Sequence, residues 1–454
     1  MSEARAHVGI LGGGITGLTA AYYLLKEGFA VTVFEGRDQV GGLATSYDFG
    51  PFRWDKFYHC ILTTDRPLLQ LMSDLGLTDE LRWTETKVGF FSNGALHSMS
   101  TTKDLLLFPG LSLWAKFRIA LGVLHASRIK DGKFLEGIPV ADWLIQVFGR
   151  ENYENMWAPL LKCKLGDARH EASAAFIWAT IFRLYSTREK GASQKEKLGY
   201  VRGGYRVIFD RLISEIERMG GTIRCGTTVK LLTSRGDQQV EVETDKGSFE
   251  FNKVISTIPS HLLARIAPQL PDKFVDNLLA VKYLGIVCFA LVLKRSFTPY
   301  YCTNLTDDAV PFTGIIEMTN LVDRGETAGR HLVYVPKYLP PGDPLFQASE
   351  AEIWNQFYPH LQRVIPDLQE EDIEERFFFR EQFVQPIPVL HYSDIVPAMR
   401  TPVDGLLLAN STQIINSTLN NNEMVKIAKR AVELVREAQE PTSEPELLTG
   451  VSRG

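Results

Sequence analysis

Residues 8–46, VGILGGGITGLTAAYYLLKEGFAVTVFEGRDQVGGLATS, constrain this chain more than any other stretch. Val8 to Leu11 is a short apolar run of the kind a buried parallel strand requires, and it feeds Gly12, Gly14 and Gly17 into a helical pattern over Ile15 to Glu27. The three glycines serve different ends. Gly12 permits the tight turn, Gly14 lets backbone amides approach a pyrophosphate, and Gly17 lets the helix lie close to the sheet. Gly28 closes the helix, Ala30 to Phe34 reads as a second strand, and Glu35 stands at its end. A carboxylate about 20 residues past such glycines can accept hydrogen bonds from a ribose. Strand, glycine turn, helix and acid together specify a dinucleotide-binding βαβ unit, which a plain glycine-rich loop would not reproduce.

Six residues past Glu35 a second glycine pair, Gly41 and Gly42, follows in RDQVGGLATS. Here the chain resembles the flavoprotein superfamily of amine oxidases, protoporphyrinogen oxidases, phytoene desaturases and UDP-galactopyranose mutases, in which Glu-x-Arg followed by Gly-Gly is a second signature. The resemblance implies an α/β fold: a Rossmann-like FAD-binding domain with a discontinuous α+β substrate domain. It further implies that FAD, held non-covalently, is contacted by Gly12, Gly14, Ile15, Thr16, Gly17, Glu35, Arg37, Gly41, Gly42, Leu43 and Ala44. The implied division places 1–90, 200–260 and 400–438 in the FAD domain and 91–199 and 261–399 in the substrate domain, with 439–454 a disordered tail.

At 454 residues, 45% hydrophobic and 23% charged, the chain can bury a large core in two or more domains. A net charge of −5 and the lack of any recognition motif argue against nucleic acid as a partner. Five scattered cysteines with no CxxC pair suggest neither a zinc site nor a disulfide framework. MSEARAH leaves no room for a signal peptide before the first strand, and no apolar run reaches the roughly 18 residues of a spanning helix, so a cytoplasmic location is expected.

After the first unit, FGPFRWDKFYH mixes aromatics, charges and turn formers. The resemblance lays this segment along the flavin ring, which makes Asp55 and His59 candidates for its surroundings; a packing role for His59 fits equally well. Residues 66–82 read as helix, and 88–96 as a hairpin turning at Asn93-Gly94. In 104–130, Leu113, Phe117, Leu121 and Leu124 recur at helical spacing beside Lys116, Arg118, Arg128 and Lys130. A helix resting on the inner face of a membrane fits this pattern, but a core-facing helix with a basic outer face is the expected reading. Lys162 and Lys164 flank Cys163 near a helix end; they suit a phosphate or carboxylate, yet solvated surface is the expected role. Residues 186–200 read as a polar loop.

The segment from Val201, with its Gly-Gly turn, a helix over Tyr205 to Met219 and a strand through Ile223, resembles the superfamily's return to the FAD domain, and places Val229 near the adenine. Strands are expected at Gly285–Leu293, Gly314–Glu317, His331–Val335 and Arg376–Phe379, with a helix over Ala351–Val364. Gln385, Pro386 and Tyr392 fall just after the last strand, within reach of the flavin face. Gly405 to Ala409 reads as a buried strand and a helix starts at about Asn422. By resemblance its N-terminus faces the flavin, with Asn410, Asn422, Glu423 and Met424 as contacts.

Two departures argue against amine oxidation. The lysine that amine oxidases place near the flavin falls at about Cys288 here, and ANSTQIINSTLNNN lacks the aromatic residue of their amine cage. That segment also lacks cysteine, which excludes covalent flavin attachment through it. The expected function is an FAD oxidoreductase of the protoporphyrinogen oxidase or desaturase type. It would transfer hydride between flavin and a hydrophobic or lipid-linked small molecule, with His59, Gln385 and Tyr392 as candidate catalytic groups. The alternatives are a mutase-like isomerase, in which Arg183, Arg188 and Arg202 would clamp a diphosphate without matching a defensible motif, and a non-catalytic FAD-binding protein.

Overall fold

The computed structural model describes residues 6–186, 196–236, 239–307 and 309–437. The expected tail, Arg188 and most of the expected loop at 186–200 lie outside the described residues. Five parallel strands form one sheet in the order Thr222–Arg224, Ala30–Phe34, His7–Leu11, Lys253–Ser256, Leu406–Leu408. Strands from three distant parts of the chain therefore share one hydrogen-bonded layer. The helix Ile15–Lys26 covers one face, and the final helix Asn421–Glu437 packs beside it through Val425, Ala428, Ala431 and Val435. A three-stranded meander, Val229–Gly236, Gln239–Thr244 and Gly247–Phe251, covers the other face with Phe251 and Val242.

A seven-stranded mixed sheet carries the rest, in the order Ile373–Pro386, Tyr283–Leu293, His331–Leu339, Gly314–Glu317, Cys302–Leu305, Val88–Ser92, Ala95–Ser98. Tyr283–Leu293 is buried along its whole length, as its unbroken apolar run demands. The Asn93-Gly94 hairpin forms with both turn residues at positive φ, as a two-residue turn requires.

Three local expectations are corrected. The helix expected over 66–82 ends at Asp74, because Gly76 turns the chain at φ +69°, and Leu81–Glu85 is a strand paired with Lys197–Val201. Gln385 and Pro386 do not follow the last strand but belong to it, since Ile373–Pro386 continues beyond the expected span. The third correction concerns the helix Leu113–Arg128. Its large apolar residues face outward, with Leu113 76% and Trp114 66% exposed, while Ala115, Ile119, Gly122 and Ala126 face the protein. The reason is steric: a methyl on Gly122 would stand 2.5 Å from Phe148, and the Trp178 indole donates to the Ala126 carbonyl at 3.0 Å. Neighbours that close admit only small side chains at Gly122 and Ala126, and most of the bulky apolar ones are turned away.

Candidate active site

At the C-terminal edge of the parallel sheet, Gly12 has φ +105°, and a methyl on it would meet Thr257 Oγ1 at 2.5 Å. A methyl on Gly17 would lie 1.9 Å from the Gly12 carbonyl oxygen. The polypeptide's own packing thus requires glycine at both positions. Gly14 differs: it has φ −76°, and a methyl there would meet nothing within 4 Å. No side chain caps the helix that starts at Ile15, and its first turn holds no acid, so no side chain of this helix start competes for its leading amides. Such an N-terminus stabilises an anion. The cradle therefore fits the pyrophosphate of a dinucleotide.

The second glycine pair closes over the first. Gly41 N–H donates to the Gly13 carbonyl at 2.9 Å, and Gly42, at φ +57°, starts the short turn Gly42–Ala44, where its added methyl would lie 3.5 Å from Gly14 Cα. Glu35 accepts the Gly13 N–H at 2.8 Å on one oxygen and the Arg37 N–H at 2.9 Å on the other. Each oxygen keeps a lone pair for a ribose hydroxyl. Thr227 N–H donates to the Glu35 carbonyl at 2.9 Å, bringing the strand that begins at Val229 beside this acid. The Arg37 guanidinium instead reaches Glu381 at 2.9 Å, and Lys56 lies 3.5 Å from the other Glu381 oxygen. Sequence reasoning missed Glu381, because one half-buried acid on a strand carries no local signal.

The closing helix completes this edge. Asn420 Oδ1 accepts the Glu423 N–H at 3.0 Å, and Asn422 Oδ1 accepts the Leu68 N–H at 3.1 Å, fixing the helix to Arg66–Asp74. Tyr205 bonds Asn421 through its hydroxyl and gives its N–H to Asp55 Oδ1 at 2.9 Å. His59 stands against Tyr205 with ring centroids 5.0 Å apart; its Nδ1 is 3.7 Å from Asp55 Oδ2, and this buried nitrogen has no hydrogen-bond partner. Asp55, His59, Tyr205 and Asn421 thereby join the early loop, the central segment and the closing helix.

The other candidates are already engaged within the protein. Asn410 Oδ1 accepts from Thr412 N–H and hydroxyl at 3.0 and 2.6 Å, and its amide donates to the Ile258 carbonyl at 2.8 Å. Tyr392 is buried and donates to the Thr412 carbonyl at 3.0 Å; with Gln385, Pro386, Phe176, Ser411 and Ser417 it walls a small recess. Glu423 lies 3.7 Å from Lys426, and Met424 packs at the edge of the main core. Of the arginines, Arg183 pairs with Asp65 at 3.2 Å and Arg202 with Glu80 at 2.7 Å.

Tyr58, Cys60, Lys164, Cys302 and Tyr338 are surrounded by protein yet keep some accessible surface, the combination expected of the walls of an internal cleft. The Tyr58 and Tyr338 hydroxyls meet at 2.8 Å. Burial pushes the Cys60 thiol up to about 11 and Cys302 to about 12, so both stay neutral and unreactive near pH 7. Cys288, 0% exposed, is raised further by the same cause. The expectation of solvated lysines holds for Lys162, which is exposed, but fails for Lys164. Among the described residues no three His, Cys, Asp or Glu side chains gather as a metal site, and no helix is long and apolar enough to cross a membrane.

The family profile described as flavin containing amine oxidoreductase matches residues 15–414. Coproporphyrinogen III oxidase of Bacillus subtilis is 26% identical over 307 residues, 60% of this chain and 63% of that protein. The chain thus matches about three fifths of this relative's length. Flavin-dependent L-tryptophan oxidase of Lentzea aerocolonigenes is 35% identical over 332 residues, 65% of this chain and 67% of its own. The crystal structure of a putative protoporphyrinogen oxidase from Exiguobacterium sp. 255-15 superposes with TM-score 0.75 at 19% identity, covering 96% of this chain and 100% of that one.

Proposed function

Because this chain belongs to the flavin-containing amine oxidoreductase family, we propose that it dehydrogenates a hydrophobic or lipid-linked molecule with FAD, at a membrane surface. One observation carries the substrate class. Of the twelve large apolar side chains exposed among the described residues, eight lie within 106–134: Leu106, Leu107, Leu113, Trp114, Phe117, Leu121, Leu124 and Phe134. A patch of that kind needs a covering surface. Exposed Lys103, Arg128, Lys130 and Lys133 accompany it in a chain whose net charge is −5, so the charge complement is an anionic lipid surface. A substrate dissolved in lipid would reach the internal cleft by way of this helix, which packs on Ala174–Ser186.

The residues fit the cofactor as follows. Gly12, Gly14, Ile15, Thr16 and Gly17 would hold the pyrophosphate, Glu35 the ribose and Val229 the adenine side. Gly41, Gly42, Leu43 and Ala44 would hold the flavin end with the start of the closing helix, Asn422, Glu423 and Met424. Bound FAD supplies the two-electron acceptor. Removal of hydride from a substrate carbon would free a proton from its neighbour, and the His59 imidazole, whose buried Nδ1 faces Asp55 at 3.7 Å, would take it up. Asp55, fixed by the Tyr205 N–H, compensates the imidazolium charge. Gln385 and Tyr392 act as walls that orient substrate. The neutral, enclosed Cys288 offers no amine at the position where amine oxidases carry lysine, which supports C–C over C–N dehydrogenation.

The test is anaerobic mixing of FAD-loaded protein with a porphyrinogen, an isoprenoid and a primary amine. Bleaching of the flavin by either of the first two, but not by the amine, is expected. Turnover of a nucleotide sugar only with dithionite present would replace this reading with the isomerase. Protein that stays colourless after reconstitution with FAD would remove both.

A further inference from the structure

The helix Ala158–Leu165 is held to the seven-stranded sheet at its C-terminal end. Thr313 Oγ1 donates to the Cys163 carbonyl at 2.9 Å, and the Cys163 thiol approaches the Leu305 carbonyl at 3.4 Å. This docking turns Lys162 out to solvent and Lys164 inward. The Lys164 Nζ stands 5.5 Å from the centroid of Phe176, a residue only 1% exposed that also walls the recess beside Ser411 and Ser417. Its ammonium makes neither an ion pair nor a hydrogen bond with any described residue.

A second cation stands nearby. Arg183, on the helix that carries Phe176, reaches both oxygens of Asp65 at 3.2 Å and the Thr418 hydroxyl at 3.1 Å. Asp65 answers the charge of Arg183 but not that of Lys164. Burial is the main cause that lowers the Lys164 pKa; Cys302 opposes it, and repulsion by Arg183 lowers it further. Glu196 acts on Cys60, Tyr301 and Cys302 but forms no ion pair with Lys164. An enclosed ammonium beside another cation, against an aromatic face in a cleft of neutral thiols and phenols, lacks only an anion.

We propose that Lys164, with Arg183 behind it, binds an oxyanion on the substrate, a carboxylate or a phosphate carried by an otherwise apolar molecule. The inference rests on the reading of the internal cleft as the substrate cleft. It narrows the substrate from hydrophobic to amphiphilic: the charged group anchors at Lys164, and the apolar body lies along Phe176 and the tyrosines. Lysine supplies a point charge that accepts either oxyanion, without the bidentate geometry an arginine would impose.

The experiment uses the full FAD-loaded chain and three probes of equal length: dodecanol, dodecanoate and dodecyl phosphate. Binding is followed through the perturbation of the flavin absorbance. The wild-type protein should bind at least one anionic probe about tenfold more tightly than dodecanol, as a charge-assisted hydrogen bond in an enclosed site implies. Which anion is favoured separates carboxylate from phosphate. Lys164→Met should abolish the preference while leaving dodecanol binding within about twofold, Lys164→Arg should retain most of it, and Lys162→Met should change nothing. If Lys164→Met does not load FAD, Lys164→Gln takes its place, and the wild-type comparison of the three probes decides by itself. Equal binding of all three probes by the wild type, or a preference that survives loss of the ammonium, overturns the oxyanion site alone. If no probe perturbs the flavin, the substrate-cleft reading falls with it.

Discussion

The backbone N–H of Gly41 donates to the Gly13 carbonyl at 2.9 Å, which joins the two glycine motifs into one rigid cradle around the open face of Gly14. The cradle separates glycines that the polypeptide's own packing needs from Gly14, which that packing leaves free to change. Gly14→Val should therefore fold with a melting temperature near that of the wild-type apoprotein, yet fail to retain FAD. Gly17→Ala should destabilise by more than the roughly 1–3 kcal/mol of ordinary overpacking, since its methyl would press on backbone 1.9 Å away. Thermal denaturation and the flavin absorbance of purified protein check both. A Gly14→Val variant that melts as low as Gly17→Ala would refute the separation.

Asp65 and Arg183 yield a pH dependence. Burial raises the Asp65 pKa more than Arg183 and the Leu62 N–H lower it. A carboxyl whose folded value exceeds its unfolded one binds more protons in the native state. Its contribution to stability is therefore favourable at low pH and is lost as pH rises through the folded value. Removing Arg183 strengthens this trend. Arg183→Met should cost little near pH 4 and about 3–5 kcal/mol near pH 7, where it leaves a buried unpaired carboxylate. Chemical denaturation across pH 4–8 reads the difference, and a cost independent of pH would contradict it.

The outward apolar face predicts binding without stability. Leu113→Ser with Trp114→Ser should change unfolding free energy by about 0.5 kcal/mol or less, because neither side chain is buried in the free protein. The same pair should weaken binding to anionic vesicles by more than tenfold, since each inserted side chain contributes about 1.5–3 kcal/mol. Flotation with anionic and zwitterionic vesicles measures this. Dimerisation of the wild type through this face, with no lipid binding, would assign the patch to a second copy of the chain.

Cys288 should behave as an inert core residue. Its thiol should resist alkylation at pH 8 until the protein unfolds, because burial holds it protonated. Cys288→Ala should alter the rate of flavin reduction by substrate only slightly. A loss of reduction with FAD binding intact would instead give the thiol a part in the chemistry.

The parts of this molecule that were legible in the sequence are those with a local period or a local steric demand. The opening strand, turn and helix, the Asn93-Gly94 hairpin and the strands Tyr283–Leu293 and Leu406–Leu408 each declare themselves within a dozen residues. What stayed hidden depends on a distant neighbour. Lys162 and Lys164 project about 200° apart on one helix, and only the sheet that receives Cys163 decides which of them points inward. Leu113, Phe117, Leu121 and Leu124 have the spacing of a buried stripe, but spacing does not say which side of a helix meets the protein. The fit of Gly122 against Phe148, from another helix, settles that. Glu381 joins Arg37 and Lys56 across more than 300 residues of chain, beyond any local pattern.

The strand order of the parallel sheet sets a timetable for biosynthesis. His7–Leu11 is flanked by Ala30–Phe34, which emerges from the ribosome almost at once, and by Lys253–Ser256, whose own outer neighbour is Leu406–Leu408. At about 5–20 residues per second, some 20–80 s separate translation of the first strand from that of the last. The nascent cradle must wait through that interval with its seam open. Flavin capture should therefore be a late event, and a chain arrested before residue 400 should emerge without yellow colour however well its opening unit has folded.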